Sequence, residues 1–256
     1  MRVLTFLRGV NRRWMFAALA LLLVLLLMTI PARIIDSMLP SQFELDGISG
    51  TLWHGQAARA RLKLPQGDFF LGQMTWQLNP FSLLLLKPTI QLETRWGDQQ
   101  FLGEMTIRGG ESFDMNQVTA RLDTALVRRF VPLYIGGSLQ ADISSLSVAD
   151  AQLRSMQARV IWQNAAWTAN NGDVTLGTYA MDVSTDRGDI TADVVTLSGA
   201  LTVEGKVSLA DQHYKIALNL AGPATAHQGL RDALVLMAVP NGQGFDVAFE
   251  GALPAK

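Results

Sequence analysis

The chain has 256 residues, 49% of them hydrophobic, with no cysteine and a formal net charge of −1. That length and apolar content are enough for a substantial core, and the missing thiols exclude a disulfide framework and any thiolate-based site. The near-neutral balance argues against nucleic-acid binding, which needs a basic stripe to displace counterions.

The charge is unevenly placed. Arg2, Arg8, Arg12 and Arg13 open the chain with no acidic residue among them, and the remainder from Trp14 carries 17 basic against 22 acidic side chains. An almost unbroken apolar run follows from Trp14 to Ile30 and closes at Pro31. Seventeen helical residues rise about 25 Å, close to the hydrocarbon thickness once tilt and thinning are allowed. The expectation is a single transmembrane helix over 14–30, with residues 1–13 as a cytoplasmic basic tail, because the arginines lie on one flank. A cleaved signal peptide is the alternative, but the run is long for a signal core. The sequence Met28-Thr29-Ile30-Pro31-Ala32-Arg33 also offers no small-x-small cleavage site.

Residues 31–41 read as a linker bracketed by Pro31 and Pro40, and 42–256 as a β-rich periplasmic domain. Beyond the linker the dominant signal is period-2 alternation. Ala58, Ala60, Leu62 and Leu64 alternate with Arg59, Arg61 and Lys63. Ile90, Leu92 and Trp96 alternate with Gln91, Glu93 and Arg95. The same pattern returns at Tyr214, Ile216, Leu218 and Leu220, and at Phe245, Val247 and Phe249. Turn signals separate such runs, among them Trp96-Gly97-Asp98, Gly109-Gly110 and Asn241-Gly242. The fold class expected is mainly β: an elongated, curved, mostly antiparallel sheet with one apolar and one wetter face. Two short helices cap it. The first runs through Leu122, Ala125, Leu126 and Phe130 before Pro132, and the second through Leu230, Leu234 and Met237 before Pro240.

The pattern apolar-x-Gly-x-apolar occurs at Ile48–Leu52, Ile135–Leu139, Leu197–Leu201 and Phe249–Leu253. Trp76 and Trp162 follow the first two at similar spacing. This echo suggests two similar halves, 42–133 and 134–256, with glycine allowing a bend where a strand begins; chance recurrence of a loose pattern is the alternative.

No catalytic constellation emerges. His54, His213 and His227 are far apart and lack metal-ligand spacing. Ser138 lacks the closing glycine of a nucleophile elbow, and Gly205-Lys206 is followed by Val207 where a phosphate loop needs Ser or Thr. Asp186 and Asp189 flank a turn, the usual place for aspartate. The expectation is therefore no enzyme, no catalytic residue, no metal and no cofactor. The aromatic-rich first part, with Trp53, Phe69, Phe70, Trp76, Phe81, Trp96 and Phe101 beside Leu83–Leu86, reads mostly as sheet core. Any excess apolar surface there would serve a protein, the membrane surface or a lipid chain.

The segment Leu45-Asp46-Gly47-Ile48-Ser49-Gly50-Thr51-Leu52-Trp53-His54-Gly55-Gln56-Ala57 resembles the signature of the type II secretion system protein N family, a Gly-Thr-(apolar)-Trp-x-Gly-x-Ala strand after one N-terminal anchor. Trp76-Gln77-Leu78-Asn79-Pro80, Gly137-Ser138-Leu139, Trp162-Gln163-Asn164-Ala165, Leu176-Gly177 and Phe249-Glu250-Gly251 fit the same pattern. The resemblance implies a single-pass protein of the bacterial inner membrane, N-terminus in the cytoplasm. It implies an accessory of the machine that exports folded proteins from the periplasm across the outer membrane. Partners would be other subunits of the inner-membrane platform and the secretin, with no catalytic residues to carry over. The competing function is lipid or hydrophobe handling by a curved β-groove of the AsmA-like type, and a weaker third is an envelope hydrolase.

Overall fold

The structure is a computed structural model that describes residues 12–37, 39, 41–64, 67–124, 135–169, 172–186, 188–210, 212–242 and 244–252. Helix α1 (Arg12–Met28) is followed by a 3-10 turn (Ala32–Ser37) and by β1 (Phe43–Asp46), β2 (Ser49–Gly50), β3 (His54–Leu64) and β4 (Gly67–Leu78). Next come α2 (Pro80–Leu84), β5 (Thr89–Trp96), β6 (Gln99–Gly109), β7 (Ser112–Asp123), β8 (Ile135–Ala149), β9 (Gln152–Ala169) and β10 (Gly172–Asp186). Strands β11 (Asp189–Gly199), β12 (Thr202–Ala210) and β13 (His213–Ala221) lead to a 3-10 turn (Pro223–Ala226), then α3 (Gln228–Met237), β14 (Val239–Asn241) and β15 (Gly244–Ala252).

Among the described residues, fifteen strands form one sheet in the order β1-β3-β4-β5-β6-β7-β8-β9-β10-β11-β12-β13-β15-β14, with β2 also paired to β3. Nearly every strand lies beside its sequence neighbour, which is the meander that alternating runs and tight turns dictate. Register turns the alternation into rows. Val118, Ile143, Ala158, Val183, Ala192, Val207, Ile216 and Phe249 stand opposite one another across eight strands, from β7 to β13 and on to β15. The opposite face carries Asp142, Arg159, Asp182, Asp193 and Lys206 in one row. Arg159 pairs with Asp182 at 3.4 Å and Lys206 with Asp193 at 3.3 Å. One face is thus apolar and the other ionic, as the alternation predicts.

The sheet is largely a single layer. The chain exposes 17382 Å², against about 11,000 Å² for a compact chain of this mass. Burial concentrates in three clusters: one within the sheet itself, around Val183, Ile190 and Ala192, and two where a helical turn covers the apolar face. Near the start, Ala32 and Ile35 of the first 3-10 turn pack with Leu45, Ala57, Ala60 and Trp76. Segment 31–41, expected as a plain linker, is therefore partly built into the core, with Ala32 1% exposed. Toward the end, Ala224 and Leu230 cover Ala165, Leu176, Tyr179, Leu220 and Phe245. The outermost strands β1 and β14 have four and three residues, and Pro240 interrupts the latter. Short, proline-bearing edges resist edge-to-edge pairing.

Three local expectations need correction. Ala58 was placed with Ala60 on the apolar face, but a register shift between Ala57 and Ala60 puts those two inside and leaves Ala58 exposed. A bulge of this kind reverses the side-chain alternation locally. Leu122, read as the start of a helix, instead pairs with Leu139 in β7–β8; Ala125, Leu126, Phe130 and Pro132 lie outside the described residues. The second helix is present as α3, through Leu230, Leu234 and Met237 and ending before Pro240, as expected. A helix absent from the sequence reading, α2, is started by Asn79, whose side chain accepts from the Phe81 amide, with Pro80 at its first position.

The membrane helix also needs restating. Helix α1 covers Arg12–Met28 rather than 14–30 and is exposed along its length, from Trp14 at 72% to Met28 at 58%. Among the described residues, no helix is both long and apolar enough to cross a membrane. Its 17 residues include Arg12 and Arg13, which leaves a shorter apolar stretch than the full run suggests.

Candidate functional site: the junction between helix and sheet

The signature segment folds as a turn joining two strands, where the sequence suggests one continuous strand. Ser49 pairs with Gln56 and Gly50 with Gly55, and the Thr51 amide donates to the His54 carbonyl at 2.9 Å. Trp53 therefore lies in the bend ahead of β3. Its side chain is buried, and its indole Nε1–H donates to the Leu27 carbonyl of α1 at 2.8 Å. The Leu52 amide donates to the Ile30 carbonyl at 2.8 Å, and Pro31 forms a bridge with Thr51. The last carbonyls of a helix have no partner within it. Here Thr29 takes those of Leu25 and Leu26, while Trp53 takes that of Leu27.

The remaining signature residues make this geometry possible. Gly50 has φ +92°, and a Cβ there would sit 2.5 Å from the His54 carbonyl oxygen. At Gly55 a Cβ would lie 2.3 Å from the Trp76 ring, which is packed against it. Trp76 is 4% exposed and donates Nε1–H to the Leu52 carbonyl at 3.2 Å. Two buried indoles thus satisfy carbonyls on either side of one turn. Beyond them, the Leu78 amide donates to the Trp53 carbonyl at 2.8 Å, tying the end of β4 to the same residue.

A second aromatic node lies farther along the sheet, on β8 to β10. Trp162 donates Nε1–H to the Gly136 carbonyl at 3.0 Å and packs at 5.8 Å against Tyr179, whose hydroxyl donates to the Leu201 carbonyl at 2.8 Å. Burial pushes the Tyr179 phenol up to about 12. Gly137 (φ +106°) and Gly199 (φ +138°) flank this node with backbone pressed against backbone. Gly251, the fourth member of the repeated pattern, lies under the Tyr214 ring and lacks the positive φ. On the ionic edge, the Lys63 ammonium is hydrogen-bonded to Glu44, and with Arg61 it holds that carboxyl below its usual range despite some desolvation.

The structure keeps the titratable candidates apart. His54 begins β3, His213 begins β13 on a distant part of the sheet, and His227 caps α3. His54 borders a shallow open depression of about 290 Å³ shared with Gly50, Gln56, Thr75 and Gln77. Asp186 and Asp189 pair across the β10–β11 hairpin, Ser138 pairs with Asp123 and Gln163, and Lys206 belongs to the ionic row. Among the described residues, no three His, Cys, Asp or Glu side chains converge on a metal site. Among these described residues, none pairs a nucleophile with a base. The aromatics divide: Trp53 and Trp76 are buried, whereas Phe81 and Trp96 are 74% and 51% exposed.

The described residues thus form an amphipathic antiparallel meander fastened to an apolar N-terminal helix. The family model described as "Type II secretion system (T2SS), protein N" matches residues 41–248, and the chain belongs to that family. It is 28% identical over 258 residues to "Type II secretion system protein N" of Aeromonas hydrophila, covering 95% of this chain and 100% of that protein. It is 26% identical over 227 residues to the protein of the same name from Vibrio cholerae, covering 84% and 87%. No solved structure matches.

Proposed function

We propose that this chain is an accessory inner-membrane component of the type II secretion machine. Helix α1 and the residues flanking it anchor the chain, the arginine-rich start lies in the cytoplasm, and the sheet stands in the periplasm. It supports export of folded proteins through contacts with other platform subunits and the secretin, without catalysing a reaction. The observation that carries this reading is the junction: the family signature folds into the clasp that fixes the sheet to the helix. A helix apolar on every side belongs in lipid or in a protein core, and Leu19, Leu21, Leu23, Leu25 and Leu27 of α1 are all exposed. Removing the gene should leave type II substrates stranded in the periplasm, with export restored by the full chain. Unchanged export in its absence would sink the proposal.

A second reading is favoured by the apolar row from Val118 to Phe249, which no second sheet covers among the described residues. Such a face could hold a lipid or another hydrophobe. Lipid that co-purifies with the intact chain, and is lost when Val183 and Val207 are replaced by Asn, would support it.

A further inference from the structure

The connection from β4 to β5 displays four large apolar side chains to solvent: Phe81 is 74% exposed, Leu84 80%, Leu85 74% and Leu86 85%. Its base is firmly held. Ser82, 8% exposed, donates to the Asn79 carbonyl at 2.6 Å and accepts from the Thr89 amide at 2.9 Å. The Lys87 amide returns to the Ser82 carbonyl at 3.1 Å. Leu86 takes φ +55°, a conformation that glycine or asparagine adopts with less strain. The loop is therefore built to present these side chains, and something must cover them.

Its position indicates what does. Strand β4 ends at Leu78, and the loop leaves the sheet beyond that end. Leu78 is hydrogen-bonded to Trp53, and Trp53 to Leu27 in the last turn of α1. One residue therefore joins the end of the apolar helix to the root of the apolar loop. Three other connections at this end of the strands carry different chemistry: Glu111 between β6 and β7, Asp150 between β8 and β9, and Asp186 and Asp189 at the β10–β11 turn. Of these connections, the one next to the helix is loaded with leucine, and Lys87 follows it with a charge suited to anionic headgroups.

We propose that Phe81, Leu84, Leu85 and Leu86 insert into the lipid surface beside α1, giving the sheet a second membrane contact that sets its orientation. This rests on the proposed membrane anchor. Apolar side chains at such a contact reach about 5–10 Å into the headgroup–acyl boundary.

The absence of cysteine allows single-site labelling of the full chain. Leu22→Cys, Leu85→Cys and Asp98→Cys, each carrying an environment-sensitive fluorophore, would be reconstituted in phosphatidylethanolamine–phosphatidylglycerol vesicles containing spin-labelled lipid. Lipid should quench the Leu22 and Leu85 labels at least twofold more than the label at Asp98, which lies in the hairpin at the opposite strand ends. A Leu85 label no more quenched than Asp98, with Leu22 quenched, overturns the loop contact and leaves the anchor standing. A Leu85 label shielded from water yet unquenched by lipid also overturns it, in favour of a protein partner. An unquenched Leu22 label instead refutes the anchor itself, and with it the loop contact that rests on the anchor.

Discussion

The indole nitrogen of Trp53 sits 2.8 Å from the carbonyl oxygen of Leu27, joining residues 26 positions apart in the chain. Trp53→Ala should destabilise the sheet domain by roughly 3–5 kcal/mol through loss of a buried aromatic. Trp53→Phe keeps much of the packing and loses the hydrogen bond, so about 0.5–1.5 kcal/mol is expected. Thermal unfolding ranks the two. Limited proteolysis between Thr29 and Ala32 should accelerate in both, since the clasp holds that segment down.

Gly50, Gly137 and Gly199 all combine positive φ with backbone contact where a Cβ would stand, at 2.5, 2.4 and 2.3 Å. Valine at any of them must both strain φ and push a neighbouring strand away. Each variant should lose several degrees in Tm and fall in abundance. Gly97, with φ +58° but nothing within 4 Å, should tolerate Asn with little loss. A freely tolerated Gly50→Val would refute the assigned role of the bend.

Single alanine replacements of His54, His213 and His227 should leave secretion and protein abundance near normal. No two of them share a site, and each is solvent-exposed. A specific export defect at normal abundance for any one would reveal chemistry that the arrangement does not show.

Tyr179 makes a pH prediction. Its phenol ionises near 10 when unfolded and at about 12 in the fold, so the folded state holds the proton more tightly. The stability it contributes is complete below pH 10 and is lost as pH rises from 10 toward 12. Tyr179→Phe should flatten that alkaline decline. It should also cost about 1–3 kcal/mol at neutral pH by leaving the Leu201 carbonyl unpaired.

The sheet was legible because burial on one face writes itself into alternation. Tyr214–Leu220 and Phe245–Phe249 pair as their pattern implies. The family signature was legible too, but not its shape, because the partner that makes Trp53 meaningful lies in another element. The bulge beside Ala58 was invisible, since nothing local distinguishes an extra residue in a run of Ala and Arg. Leu122 misled because strand and helix periods agree over short spans; its pairing with Leu139 decides for the strand. The Asn79-Pro80 pair did signal α2, but Leu83–Leu86 read as core until the structure placed three of those leucines largely in solvent.

The most direct test of the account is photo-crosslinking in growing cells, with the full chain carrying a photoreactive residue at Val235, Leu236 or Phe249 on its exposed apolar surface. Covalent adducts would be captured from the inner membrane and identified. The account predicts adducts with inner-membrane subunits of the type II secretion platform or with the secretin. Capture of lipid alone, with no secretion subunit from any of the positions, would contradict it.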